Sequence, residues 1–283
     1  MDGAILAAVL FAAFLHAAWN AMLKLRGAGA DHMLAAAAVT AGAGVTGALL
    51  LPFLPAPAPA SWPCIAASAV LHALYYAMLA ATYRSADISH AYPLMRGSAP
   101  VMVALAGGLL GAERLHGAQW LAIGLVFAGG VAVYAGSRTG SAGNGRLTLL
   151  AVSTAAMIAA CTLVDGFGVR RSGAPAAYTA WIFLLTGAAT SALAWGRMGA
   201  ALPRYLLRHP WLALAGGAAT TCSYGIALWA MSFAPVAVVA ALRETSIVFA
   251  LAIAMLVLGE RPLPARLAGA GLIALGAVAV RLA

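Results

Sequence analysis

Two arginines stand inside apolar segments that are long enough to cross a membrane. Arg96 lies in the stretch YPLMRGSAP and Arg243 in AALRETSIV. A charged side chain deep in a membrane helix costs about 2.5–3.5 kcal/mol to insert and normally faces a bundle interior or a wet cavity. The planar guanidinium binds a carboxylate or another oxyanion through two parallel hydrogen bonds. The arginines therefore indicate either a site for an anionic substrate, or snorkelling and internal ion pairs that lock the bundle.

Two carboxylates accompany the arginines. Glu244 directly follows Arg243, so on a helix their side chains point about 100° apart. Glu244 can neutralise Arg96, or it can carry protons in a coupled cycle. Asp165 lies late in another apolar segment, where a solvated interfacial role and a cavity role fit equally well. Glu244 and Asp165 are the candidates for an ion pair or for proton coupling.

Other polar and aromatic side chains follow helical spacing in the same segments. Tyr92 lies one turn before Arg96, which places a phenol hydroxyl beside the guanidinium. His16 and Asn20 form a stripe on the first segment, with Trp19 beside it. Aromatic residues at a membrane boundary are usually interfacial anchors, and this alternative stays open for the aromatic members. The predicted substrate-binding residues are Arg96, Arg243, Tyr92, His16, Asn20, Trp19, His72, Tyr76, Tyr224 and Trp229.

The elements that position these residues are membrane helices. The 283 residues are 64% hydrophobic and 8% charged, a composition that excludes a water-soluble core. A helix that crosses the bilayer needs roughly 20 apolar residues. The predicted fold class is therefore an all-α polytopic membrane protein with ten transmembrane helices. We place the helices at 3–23, 33–53, 62–83, 90–111, 117–136, 147–168, 175–195, 211–231, 237–258 and 264–282.

Several classes of site and partner are excluded by residue spacing. The three cysteines are far apart and lie inside predicted helices, which argues against disulfides, and the six histidines show no metal-ligand spacing. No phosphate-binding glycine loop or nucleophile motif is present. The net charge of +9 is spread over membrane-edge joints, so headgroups explain it better than nucleic acid does. The sequence predicts no cofactor, no metal and no nucleic-acid partner.

An internal repeat divides the chain. When the sequence is shifted by 147 residues, residues 85–134 match residues 232–281 at 13 of 50 positions. The informative matches are Arg96 with Arg243, Glu113 with Glu260, and Gly129 with Gly276. We predict a first five-helix repeat at 1–137, a linker at 138–146 and a second repeat at 147–283. Because five helices are an odd number, the second repeat enters the membrane from the opposite side, and the repeats are inverted.

This plan resembles the EamA type of the drug/metabolite transporter superfamily. The resemblance is carried by HAAWNAMLK at 16–24, by ADISHAYPLMRGSAPV, by GAERL and LGERPL, and by the glycine-spaced fifth and tenth helices. It implies a multi-pass carrier in the bacterial inner membrane that works by alternating access and is not an enzyme. The implied cargo is a small polar metabolite, with efflux favoured.

The arginines favour cargo with an oxyanion, so an amino acid or related carboxylate is the leading prediction. The alternatives are uptake of an organic anion such as an organophosphonate and, remotely, a membrane enzyme acting on a lipid-linked substrate. Predicted partners are the substrate, membrane lipid, a proton or counter-substrate, and at most a second copy in a weak homodimer. The positive-inside rule places the termini outside, because the side that holds them has four Lys and Arg against ten. The family resemblance implies cytoplasmic termini, so both orientations stay open.

Overall fold

We describe a computed structural model of the chain. Its backbone is described for residues 2–26, 32–85, 88–111, 113–135, 145–257, 259 and 262–282. Within these ranges, the side chains of 22–26, 32–33, 80–85, 88–93, 146–147 and 282 are outside the description. Twelve α-helices occupy the described part, together with two 3-10 turns, Leu51–Phe53 and Pro59–Ser61. The helices are α1 Gly3–Arg26, α2 His32–Leu50, α3 Trp62–Ser85, α4 Ile88–Leu109, α5 Gly117–Ala135, α6 Gly145–Ser172, α7 Pro175–Met198, α8 Ala201–Arg208, α9 Pro210–Met231, α10 Val236–Arg243, α11 Ser246–Leu256 and α12 Pro264–Leu282.

The chain is an all-α polytopic membrane protein. Nine spans within the described residues are long and apolar enough to cross a bilayer, with α10 and α11 together forming one of them. The remaining predicted span corresponds to α4, whose described apolar part, Leu94–Leu109, is shorter. Helices satisfy their own backbone hydrogen bonds in lipid, which explains why these apolar segments are helical. The count of ten spans stays a prediction.

Helix boundaries follow local sequence signals. Pro175 and Pro210 stand in the first turns of α7 and α9, where a missing N–H costs nothing. Gly173 has φ 63° in the short turn between α6 and α7, a conformation that favours glycine. α6 begins at Gly145, so it includes the last two residues of the predicted linker, while 138–144 lies outside the described residues.

One helix was absent from the predicted spans. α8 covers eight residues between two membrane helices. Its Leu202 is buried and packs in a cluster with Leu34 of α2 and Ala194 of α7, whereas Arg204 and Arg208 are exposed. The helix is amphipathic, and it covers the end of the bundle rather than crossing it.

The largest helix contacts join the two halves of the chain. α5 packs on α12, α2 packs on α7 and α9, and α1 packs on α9 and α11. Helices α3 and α4 of the first half also pack on α6 of the second half. Neither half therefore has a core of its own, and both contribute to one bundle.

Helices α5 and α12 approach each other closely at two places. A methyl group on Gly129 would lie 2.6 Å from the carbonyl oxygen of Gly269 and 2.6 Å from the side chain of Ile273. A methyl group on Gly276 would lie 2.9 Å from the carbonyl oxygen of Ala122, and it would also meet Val126. Each residue of the second contact is the 147-residue counterpart of one in the first. This correspondence supports a two-fold relation between the halves.

Candidate functional site

The predicted ninth span is interrupted at its charged residues. α10 ends at Arg243, and Glu244 and Thr245 separate it from α11. Here the N–H of Glu244 donates to the carbonyl of Ala241 and that of Thr245 to the carbonyl of Leu242, both at 3.1 Å. Bonds to the third residue back give a tight 3-10 turn, which often marks a functional hinge when it lies inside a helix.

The first-half counterpart of this span has no such interruption. Pro100 removes one backbone donor from α4, and the sequence predicts a kink and the greater deformability there. In the structure, α4 continues through Pro100 as one helix, Ile88–Leu109. The interrupted helix lies in the second half instead, although no proline is present between Val236 and Leu256.

Glu244 forms a buried ion pair with Arg96. The Nη2 atom of Arg96 lies 3.0 Å from Oε1 of Glu244, and its Nε donates to Oε2 at 3.2 Å. Only 3% of Glu244 and 9% of Arg96 is exposed. A charge-assisted hydrogen bond backed by a second close contact between the ions is a strong form of this interaction. The pair connects α4 of the first half to the helix break of the second.

Arg243 has a different environment from its repeat counterpart. It is half-buried, and its guanidinium carbon lies 4.9 Å from the centre of the Tyr224 ring. The side chain makes no hydrogen bond or ion pair within the described part of the chain. His16 interacts electrostatically with both arginines. The donors of Arg243 therefore remain available at the break between α10 and α11.

Tyr224 connects Arg243 to Asp165. Its hydroxyl donates to Oδ2 of Asp165 at 2.5 Å, while its ring lies beneath the arginine. Tyr178 donates to Oδ1 at 3.3 Å. His72 packs edge-on against Tyr224, with ring centres 5.6 Å apart. Asp165 has no exposed surface, so the structure places it inside the bundle.

The structure places the other predicted residues in different surroundings. Trp19 lies edge-on to His16 at 5.7 Å and packs with residues of α2 and α9. The amide of Asn20 donates to the backbone carbonyl of His16 at 2.7 Å. Tyr76 contacts the ring of Tyr75, with centres 5.1 Å apart.

Two further residues were predicted to bind substrate, and the described part of the structure does not place them beside the arginines. Trp229 is 38% exposed, packs against Phe233 and lies five residues after Tyr224, on a different face of α9. The structure does not bring it to the arginines. The side chain of Tyr92 lies outside the described residues, so its predicted place beside Arg96 stays a prediction.

Comparison with known proteins assigns the chain to a family. Residues 146–282 match the family model described as "EamA-like transporter family". This match covers 137 of the 283 residues, the second half of the chain. It supports an EamA-type membrane transporter of the drug/metabolite transporter superfamily. The resemblance predicted from the sequence motifs is confirmed.

The fold of this EamA transporter is also found among solved structures. One, described as "Crystal structure of protein", superposes with a TM-score of 0.73 at 20% identity, covering 100% of this chain and 98% of the other. At that identity the likeness shows the fold alone. No curated protein matches the sequence at a significant level.

A second charged cluster joins the halves of the EamA transporter at one end of the bundle. Glu113, after α4, accepts hydrogen bonds from the backbone N–H groups of Val236 and Ala237 at the start of α10. Arg170 donates to Glu113 at 3.1 Å and to the carbonyl oxygens of Met231 and Ala234, both at 2.8 Å. We call Glu113, Arg170 and these backbone groups the clasp. The carboxylate satisfies donors that a helix start leaves free and complements its dipole.

Replacing Glu113 with glutamine should loosen the start of α10. The amide keeps one acceptor oxygen but loses the charge that faces Arg170 and the helix dipole, and we expect a loss of about 1–2 kcal/mol. Hydrogen exchange of the 236–239 amides in detergent should become faster. Arg114→Gln, an exposed neighbour, is the matched control. Equal exchange in the two variants would contradict the capping role of Glu113.

Sequence reasoning missed part of this arrangement. Glu113 was visible as a repeat match with Glu260, but nothing in the sequence assigned it to the start of α10. Arg170 counted only as a membrane-edge charge. Tyr178 gave no signal, because its proximity to Asp165 depends on how α6 and α7 pack. Ser68 lies one helical turn before His72 on α3, so helical spacing could have identified that contact.

Proposed function

We propose that this EamA transporter moves a small carboxylate across the bacterial inner membrane by alternating access, with an amino acid as the leading candidate. The observation that carries the proposal is Arg243. Its charge lies half-buried at a helix break, and no described residue forms a hydrogen bond or ion pair with it. A carboxylate would fill this gap, since the guanidinium fork matches its two oxygens.

The contrast between the two arginines supports a single anion-binding group. Arg96 already holds the carboxylate of Glu244 through one hydrogen bond and a close ion-pair contact. Arg243 occupies the equivalent repeat position but faces the ring of Tyr224. We infer that Arg96 fixes the helix break in place and that Arg243 contacts the substrate.

The helix break itself supports the location of the site. Secondary transporters commonly bind substrate near the midplane, where a membrane helix is discontinuous and the two repeats meet. In this chain the break carries Arg243, and the ion pair beside it joins the repeats. His16 is close enough to interact with the same charges. These residues form the central part of the proposed binding site.

A ligand screen tests the proposal. Purified protein is heated in the presence of L-amino acids, mono- and dicarboxylic acids and phosphonates, each paired with an amide or ester in which the acid group is uncharged. A ligand at 100 times its Kd stabilises the folded state by about 2.7 kcal/mol. We expect one or more carboxylates to raise the Tm, their uncharged partners to have no effect, and Arg243→Gln to abolish the rise.

Three outcomes of the screen would overturn the proposal. Equal effects of acids and their uncharged partners would remove the anion requirement. Stabilisation of Arg243→Gln by the same acid would remove the assigned contact. Stabilisation by phosphonates alone would favour an organic-anion carrier of the other kind considered from the sequence.

A further inference from the structure

A buried carboxylate and an imidazole face each other behind Tyr224. Nε2 of His72, on α3, lies 4.0 Å from Oδ2 of Asp165, on α6. The same Oδ2 accepts the hydroxyl of Tyr224. His72 is 8% exposed and Asp165 is fully buried. The two groups come from different halves of the chain, and the carboxylate-binding role proposed for Arg243 uses neither of them.

The other ring nitrogen of His72 fixes how the imidazole is protonated. Nδ1 lies 3.0 Å from the backbone carbonyl oxygen of Ser68 and 3.1 Å from its hydroxyl oxygen. A carbonyl oxygen only accepts hydrogen bonds, so the hydrogen of a neutral imidazole belongs on Nδ1. Nε2 then presents a lone pair to a carboxylate oxygen. Two proton acceptors that face each other in a buried place form a site for one proton.

We propose that His72 and Asp165 together bind one coupling proton and that Tyr224 links this site to substrate binding at Arg243. The proton comes from the aqueous phase when the bundle opens, and it adds to a lone pair of Oδ2 of Asp165, from which the new hydroxyl donates to Nε2 of His72. No other bond forms or breaks. The proton site itself is independent of the proposed function, whereas the link to Arg243 rests on it.

The groups around Asp165 favour a proton over a metal cation. Its carboxylate receives hydroxyl donors on both oxygens, and the described residues contain no cluster of acidic, histidine or cysteine ligands for a metal. Within the described side chains, the titratable or charged groups on α6 and on the helices packed against it are Cys161, Asp165, Arg170 and Arg171 of α6, Cys64, His72, Tyr75 and Tyr76 of α3, Arg96 of α4, Tyr178 and Arg197 of α7, Cys222 and Tyr224 of α9, and Arg243 of α10.

Proton binding changes the charge at the hydroxyl end of Tyr224, whose ring packs against Arg243. Arg96 and Glu244 cancel each other, and the negatively charged carboxylate of Asp165 accepts the Tyr224 hydroxyl. When the His72–Asp165 site takes up a proton, that negative charge is compensated, and the Tyr224 hydroxyl loses the strength of a charged acceptor. Arg243 then attracts an anion more strongly. Proton and carboxylate binding therefore reinforce each other, and linkage makes the effect reciprocal.

This cooperativity fixes the relative direction of transport. A proton and a carboxylate that favour each other's binding cross the membrane together. Where the proton gradient points inward, the result is uptake, in contrast to the efflux that the family resemblance favoured. Each proton is released when the bundle opens to the other side, because Asp165 is inaccessible in the present conformation.

Infrared difference spectroscopy tests the proton site without any substrate. The reconstituted full chain is compared at low and high pH, and the carbonyl band of a protonated carboxyl group is followed. We expect a band that Asp165→Asn removes and that Glu113→Gln, in the clasp, retains. The midpoint of the band should move by about fivefold or more in proton concentration in Arg243→Gln, the lower end of typical coupling between sites. A band unaffected by Asp165→Asn, or no band, would overturn the proton site.

Binding measurements with acetate, succinate and L-glutamate as probes test the link. Between about pH 6.5 and 8 the carboxylates of these probes are almost fully ionised, so any change in affinity reports the protein. We expect the wild-type affinity to rise about fivefold or more on acidification. Tyr224→Phe keeps the ring beneath Arg243 but removes the hydroxyl, and it should lose this pH dependence. Tyr205→Phe, on α8, removes a hydroxyl from a helix that carries none of these groups and should keep it.

The two measurements separate the two proposals. Affinity that is constant or falls on acidification would overturn the link, whatever the infrared result. Failure of all three probes to bind while the Asp165 band is present would overturn the link and count against carboxylate transport, but it would support the proton site. Binding of a probe without the band would support carboxylate recognition and overturn the proton site.

Discussion

Replacing Glu244 with alanine should lower the free energy of unfolding by about 3–5 kcal/mol. The substitution leaves the guanidinium of Arg96 buried without the carboxylate that now holds it through a hydrogen bond and an ion-pair contact. Removing one partner of a buried ion pair is costly because the remaining charge is uncompensated. Thermal and denaturant unfolding in detergent, at equal protein concentration, measures the loss.

A double-mutant cycle separates this effect from simple loss of packing. The double variant Arg96→Leu, Glu244→Leu removes both charges and keeps apolar volume, and paired removal is often neutral or stabilising. We therefore expect it to be more stable than either single leucine variant. Additive destabilisation of the two single changes would show that Arg96 and Glu244 do not stabilise each other.

Replacing Arg243 with lysine should weaken carboxylate binding and transport by about 10- to 100-fold. Lysine keeps the positive charge but loses the fork that donates two parallel hydrogen bonds. Hydrogen bonds to charged groups contribute about 1.5–3 kcal/mol, which corresponds to this range. The affinity of the acid identified by the ligand screen, together with its initial uptake rate in proteoliposomes, measures the change.

Stability distinguishes this role from that of Arg96. Arg243 makes no hydrogen bond or ion pair with the described residues, so Arg243→Lys should change the unfolding free energy by less than about 1 kcal/mol. Arg96→Lys, at the equivalent repeat position, loses part of a buried ion-pair contact and should be clearly less stable. An unchanged affinity in Arg243→Lys, or an equal loss of stability in both variants, would contradict the separate roles.

The helices could be predicted because lipid imposes one rule on every span. The predicted boundaries of α5, α9 and α12 differ from those observed by at most one residue. The break after Arg243 could not be predicted, since LRETS contains neither proline nor glycine. It coincides with the place where Glu244 binds Arg96, a contact between residues 148 positions apart. Interactions of that range leave no local pattern.

The candidate site was predicted in its residue types and less well in its arrangement. The repeat suggested two equivalent arginines, but the counterpart of Glu244 is Gly97, so only one carboxylate is present for two guanidinium groups. The sequence does not specify which arginine it neutralises. Asp165 and Tyr224 correspond to Ala18 and Ala77. The chemistry is therefore asymmetric within a symmetric bundle, and only the packing of α3, α6, α7 and α9 shows where it is concentrated.

The paired contacts between α5 and α12 give one polypeptide the symmetry of an assembly. Gly129 against Gly269 and Gly276 against Ala122 are the same contact seen from two sides, as at an isologous dimer interface. In a homodimer one mutation alters both copies of such a contact at once. Here each copy is encoded separately, so Gly129 and Gly276 can diverge one at a time. Because the two halves are encoded separately, they can keep a common scaffold while their polar residues diverge.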